Sequence, residues 1–307
     1  MNQTIKDTGS GCALSVSGLT KRFGKTTALD GLTFSLAEGQ IAGLLGRNGA
    51  GKSTLLRILS GQLKQSEGNV GLFGMPVFDN AAALGELCMI GDTPDFGKLK
   101  NREEFFSVCS SLFPGWSKDR AAWLAERFDL PGKKLLKGYS RGMQTALLLC
   151  AGLASGARLT VFDEPSLGLD AVMRERFYDL LVETRKNRPE RTFLVSTHLI
   201  DEVARVLDSA VLIDHGKLLC EGDMQTLTEG YLSISGAPQE VRAAAADADI
   251  LREEELAGSL VLHLRLKRPE DRERILSAPG IQGAPVSLQR LFVFLTEEKE
   301  EHHADNA

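Results

Sequence analysis

The sequence has no C-x-x-C pair: its five cysteines, Cys12, Cys88, Cys109, Cys150 and Cys220, are odd in number and scattered. That spacing excludes a disulfide framework or a zinc site and implies free thiols in a reducing compartment. Nor is there a surplus of basic residues. A net charge of -5 disfavours nucleic acid as the main partner, because phosphate contacts along a duplex need a basic face. No apolar stretch approaches the roughly eighteen residues of a membrane helix, and the N-terminal MNQTIKDTGSGC lacks the apolar core of a secretory signal. The chain is therefore expected to be cytosolic and to reach a membrane only through a partner.

What is there is an ordinary globular composition, 43% hydrophobic over 307 residues, enough for one large domain or two unequal ones. Residues 1–12 are polar and read as a flexible N-terminus. ALSVSGLTKRF and LTFSLAEGQIAGLLG carry strand-like alternation ending in an apolar run. KSTLLRILSGQL then reads as a helix closed near Gly61. From about 96 to 140 the texture turns helical, with Pro114 and Gly115 breaking REEFFSVCSSLF from SKDRAAWLAERFDL. The apolar helix SRGMQTALLLCAGLASG leads into RLTVFDEP, a strand ending on two carboxylates. RTFLVSTH repeats that pattern and ends on Ser196, Thr197 and His198. Strands alternating with helices predict a mostly parallel sheet whose ligands sit at the carboxyl ends of its strands. The expected fold class is α/β, with an antiparallel N-terminal β part, an α-helical insertion and a small C-terminal α+β extension. The expected divisions are a main α/β domain over 13–229, the extension over 230–296 and a disordered charged tail over 297–307.

The stretch LLGRNGAGKSTLLRIL crowds Gly46, Gly49 and Gly51 into one turn and follows them with Lys52 and Ser53. This is G-x-x-x-x-G-K-[ST] between a predicted strand and a predicted helix, the context the pattern needs. Such a loop, Gly46 to Thr54 with Arg47, Asn48 and Ala50 inside it, turns successive backbone N–H groups onto phosphates. Lys52 is expected to reach the β and γ phosphates and the Ser53 hydroxyl to ligate Mg²⁺. Asp163, at the end of RLTVF, is the expected carboxylate for the metal. Glu164 is placed to polarise the attacking water as general base, and His198 to hydrogen-bond the γ phosphate or that water.

These ordered motifs resemble the ATP-binding subunits of ABC transporters over about residues 14–225. GRNGAGKST is similar to their phosphate loop, RLTVFDEP to their Walker B strand, SLGLD with Asp170 to their D-loop, and STH to the strand bearing their switch histidine. YSRGMQ, residues 139–144, resembles their signature loop in variant form. The resemblance implies that Phe23 stacks on adenine and that two ATPs are sandwiched head to tail between two such subunits, identical or different. Ser140, Arg141 and Gly142 of one would then face the phosphates of the other. It also implies a separate transmembrane permease, of the ABC-2 type from YSRGM and the closing SLQRLFVFLTEE, so that the subunit would be cytoplasmic and peripheral at the membrane. Two positions depart from the family: Arg141 stands where a second glycine is usual, and Asp95, or alternatively Asp92, stands where a metal-linked glutamine is usual. A soluble ATPase of this family acting on ribosomes or DNA is the alternative reading, and a catalytically weak ATP-binding regulatory subunit is another.

Overall fold

The structure is a computed structural model, and it describes residues 11–91, 96–132, 134–256, 258–268 and 270–304. Asp95 and Asp92 lie outside the described residues. The chain forms two compact units, one reaching Leu199 and resuming over Arg205–Leu218, the other built from Ile200–Ala204 and the chain from Leu219 onward.

In the first unit β1 (Cys12–Phe23) and β2 (Thr26–Ala37) pair antiparallel. β3 (Ile41–Leu45) is five apolar residues buried without a gap, the pattern of a strand covered on both faces. The glycine-rich loop follows and opens into α1 (Lys52–Leu59). β4 (Glu67–Leu72) and β5 (Met75–Pro76) return to the first pair, giving an antiparallel sheet in the order β2-β1-β4-β5. α2 (Ala81–Gly85) leads to β6 (Leu87–Ile90).

The helical insertion holds α3 (Arg102–Leu112) and α4 (Lys118–Arg127), each started by a side-chain cap. Asn101 accepts the Glu104 N–H at 2.9 Å and Ser117 accepts the Arg120 N–H at 3.2 Å, which satisfies donors a helix start leaves open. α5 (Arg141–Ala154), capped by Ser140, is apolar on most sides and correspondingly buried. Next come β7 (Leu159–Asp163), α6 (Ala171–Asn187), β8 (Thr192–Thr197), α7 (Ile200–Ala204), β9 (Ser209–Asp214) and β10 (Lys217–Asp223). The sheet runs β10-β9-β3-β8-β7-β6, and from β9 to β6 every neighbouring pair is parallel. β3, β8 and β7 are therefore adjacent, which brings three loops to one edge.

Arg191 holds this frame from within. It is 5% exposed, and its guanidinium donates to the carbonyls of Gly152, Leu153 and Ala157 and to the hydroxyls of Ser155 and Thr160. Burial pulls its pKa down to about 10. The charge ties the open carbonyls at the end of α5 to the strand beside it.

The second unit continues with α8 (Met224–Glu229), β11 (Tyr231–Gly236), α9 (Pro238–Ala244), β12 (Asp249–Leu256), β13 (Ser259–Arg265), α10 (Glu270–Leu276), β14 (Gln282–Pro285) and α11 (Leu288–Ala304). Its sheet order is β12-β13-β11-β14 with antiparallel neighbours, the split βαβ arrangement of a β-α-β-β-α-β chain. Leu232, Ile234, Leu262 and Leu264 face Val241 and Ile275 from the two crossover helices. On the other face His263 lies 4.7 Å, ring to ring, from Phe294 of α11.

Three expectations are corrected here. In the extension YLSISG, PQEVRAAAADAD, SLVLHLRL and PEDRERILSA predict strand, helix, strand and helix, and the structure adds two strands, β12 and β14. α11 continues to Ala304, through most of the segment expected to be a disordered tail. After His198 the sequence LIDEVARVL predicts a helix over its whole length, and the structure keeps it regular only over Ile200–Ala204.

Candidate active site

β3 ends where the backbone must pass close to a neighbour: a Cβ on Gly46 would stand 2.4 Å from the carbonyl oxygen of Ile213. Gly51, with φ of 105°, caps α1 in a conformation that side chains avoid, and a Cβ there would meet the Ala28 carbonyl at 2.9 Å. The loop is thus folded back on itself with its N–H groups gathered at the start of α1. Lys52, only 6% exposed, donates to the carbonyl oxygens of Gly46 at 2.7 Å and Arg47 at 3.3 Å. Burial lowers its pKa, and the charges of Glu164 and Asp163 work against that shift.

The second strand end supplies the carboxylates. Asp163 closes β7 and accepts the Ser196 hydroxyl at 2.7 Å. Glu164 follows with φ of 48° and donates its own N–H to the Ser196 carbonyl at 2.8 Å. Its side chain turns toward the loop: the Lys52 ammonium is 3.6 Å from Oε1, and Thr197 donates to Oε2 at 3.0 Å. The third strand end supplies His198, whose Nδ1 lies 2.9 and 3.0 Å from the two carboxylate oxygens. An ionised carboxylate only accepts, so Nδ1 carries the proton and Nε2 of a neutral ring is left as acceptor. A carboxylate with one lysine, one histidine and one hydroxyl around it, facing solvent, is equipped to orient and deprotonate water.

Lys52, Asp163, Glu164 and His198 line one cleft of about 810 Å³, together with Arg47, Asn48, Gly49, Gly51, Ser53 and Thr54. Ser53 and Asp163 bring only oxygen donors to it, a donor set that fits Mg²⁺. Not every expected residue lies there. Gly46 and Ala50 hold the loop from behind, Ala50 accepting the Gly216 N–H at 2.9 Å. Phe23 stands at the end of β1, 47% exposed, with the Lys21 ammonium 5.1 Å from its ring centre, and does not line the cleft. Ser140, Arg141, Gly142 and Asp170 form a separate cluster: Ser140 caps α5, Asp170 caps α6 through the Met173 N–H at 2.9 Å, and Gly142 lies against Gly168.

Other residues come to the site without having been singled out as candidates. Thr197 and Ser196 orient the two carboxylates, and their signal was legible, since both are polar residues ending an apolar strand. Gln62, Met89 and Gly91 line the cleft with no motif that would have marked them.

The family profile described as ABC transporter matches residues 29–167. The daunorubicin resistance ATP-binding protein DrrA3 of Streptomyces coeruleorubidus is 34% identical over 224 residues, covering 70% of this chain and 69% of that protein. The Nod factor export ATP-binding protein I of Rhizobium sp. strain N33 is 29% identical over 307 residues, 92% of this chain and 97% of that one. In fold, the chain is similar to a solved ATP-binding subunit of an ABC transporter, with a TM-score of 0.64 at 23% identity over 70% of this chain and 91% of the other. A P-loop ATPase fold with a phosphate loop and strand-end carboxylates in one cleft is thereby defined as a class. The chain belongs to the family of ATP-binding subunits of ABC transporters. It binds nucleotide and hydrolyses ATP, and subunits of this family pair and work with a transmembrane partner. Among the described residues no helix is long and apolar enough to cross a membrane.

Proposed function

We propose that this chain is the ATP-hydrolysing subunit of an exporter, that it pairs around ATP with an identical or different subunit, and that it drives a separate permease of the ABC-2 type. On this reading it works on the cytoplasmic face of the membrane, held there by the permease, with residues 13–229 as the ATP-binding domain and 230–296 as an accessory extension. The observation that carries the reading is the position of Glu164: its carboxylate lies within 3.6 Å of Lys52 and 2.9 Å of His198, in the cleft that the phosphate loop lines. The names of the relatives support export, one being a Nod factor export protein and another a daunorubicin resistance protein.

In this mechanism the loop N–H groups and Lys52 hold the phosphates, and Ser53 and Asp163 hold Mg²⁺, which neutralises phosphate charge when bound. Asp95 is a further proposed metal contact. Glu164 takes the proton of the attacking water, and His198 orients that carboxylate through Nδ1. Phe23 is proposed to stack on the adenine. Ser140, Arg141, Gly142 and Asp170, standing apart from this chain's cleft, are proposed to face the nucleotide of the paired subunit. Closure then follows from differential affinity: a γ phosphate bridging the pair favours the closed state, and its loss favours opening.

The test is made on Glu164→Gln, which keeps size and loses the base. With Mg²⁺ and ATP it is expected to elute as a nucleotide-bound dimer by size-exclusion chromatography while the parental chain reopens. A variant monomeric at saturating ATP, alone and with its copurified membrane partner, would sink the pairing. Recovery with ribosomes rather than with a spanning subunit from solubilised membranes would overturn the transporter reading in favour of a soluble ATPase.

A further inference from the structure

Glu164 stands on a turn that does not hold itself. A glutamate at φ of 48° is in the left-handed region, which side chains enter at a cost, so bonds around it must fix the conformation. One is its own N–H to Ser196. The other runs outward: the Glu164 carbonyl accepts the Leu167 N–H at 3.1 Å, and the Leu167 carbonyl accepts the hydroxyl of Thr145 at 3.1 Å. Thr145 belongs to α5 and is 8% exposed.

That hydroxyl is in an unusual place. A threonine inside a helix ordinarily bonds the carbonyl one turn back, as Thr184 does to Leu180 at 2.6 Å and Thr296 to Phe292 at 3.1 Å in this same chain. Thr145 instead leaves its helix and reaches the turn that follows Glu164. The fit around it leaves no slack: a Cβ on Gly142 would stand 2.8 Å from the Gly168 carbonyl oxygen, and one on Gly168 would stand 3.0 Å from Cγ of Arg141.

We propose that Thr145 is a positioning residue for ATP hydrolysis, its hydroxyl tying α5 to the turn that aims the Glu164 carboxylate into the cleft. A shift of α5 is thereby carried to Glu164 through two hydrogen bonds and the backbone between them. The proposal rests on Glu164 being the general base.

Thr145→Val keeps the volume and removes the donor. It is expected to lower kcat of the full chain about tenfold, since small misplacements of a reacting group are costly, and to leave KM for ATP within about twofold. Thr145→Ser, which restores the hydroxyl, is expected to recover most of the rate. A valine variant at the parental kcat, or a serine variant as slow as the valine one, would overturn the proposal. Amide exchange over residues 164–169 gives a reading that needs no turnover: it should be faster in Thr145→Val than in Thr145→Ser, and equal exchange counts against the tie. Glu164→Gln assayed alongside separates the two ideas. Parental turnover in that variant removes the general-base reading, whereas the exchange comparison still decides whether Thr145 holds the turn.

Discussion

His198 and His263 make a controlled comparison between the two units. Each sits at a β-strand and each is bonded through Nδ1 to an oxygen, yet the side chain of His198 is 33% exposed and that of His263 is 0% exposed. His198 comes just after β8, at the carboxyl end of a parallel sheet, where the sheet can no longer cover it. His263 lies in the middle of β13, bonded to Ser233 at 2.6 Å and covered by Phe294. The first is delivered to a cleft and the second is sealed under a helix. Location along the strand, more than residue type, separates chemistry from support.

The largest effect expected from this contrast is on turnover. His198→Ala removes the group that orients Glu164 and should lower kcat about a hundredfold, with little change in melting temperature. His263→Ala should do the reverse, destabilising the second unit by about 2–3 kcal/mol through a cavity and an unpaired Ser233 while kcat holds. Steady-state ATPase assays and thermal melts on both variants decide it. Loss of turnover in both would erase the distinction drawn here.

Lys52→Ala is the next largest. It deletes a charge-assisted contact worth about 1.5–3 kcal/mol, so ATP affinity should fall roughly ten- to a hundredfold, and a triphosphate should lose more than a monophosphate. Titration with a fluorescent nucleotide measures this. Equal losses for both nucleotides would place Lys52 away from the terminal phosphates.

Much of the first unit was legible because its chemistry is written where the chain changes element. The glycine loop between β3 and α1, the carboxylates after β7 and His198 after β8 each follow an apolar run, and the parallel sheet makes β3, β8 and β7 neighbours. The pairing of His198 with Glu164 was not legible, since register and side-chain direction are tertiary facts. The second unit hid more. β12 carries Arg252, Glu253, Glu254 and Glu255 in succession, a run that reads as solvated, and it is held as an edge strand by ladder bonds and by Arg242–Glu253 and Arg252–Glu297 pairs. The start of α11 was marked only by Ser287, whose hydroxyl accepts the Arg290 N–H at 3.2 Å.

The smallest effect concerns pH and sharpens the same comparison. Burial lowers the pKa of His263, Arg290 and Arg252 push the same way, and Glu254 opposes them. As pH falls through 6.5 the unfolded histidine takes its proton first, so the unfolded state binds more protons and stability declines. The decline ends once pH has passed below the depressed folded pKa, and above about 6.5 the group is silent. Asp223, whose pKa is lowered by the Thr226 N–H, loses its contribution in more acidic solution, as pH falls past 3.8 toward its depressed folded pKa. Thermal melts of the full chain between about pH 7.5 and 5.5 should therefore slope downward with acid in the parental protein and flatten in His263→Gln, with a slope of at most about 1.4 kcal/mol per pH unit. If the slope survives the substitution, the proton is taken up elsewhere and His263 is not the group that distinguishes the second unit from the first.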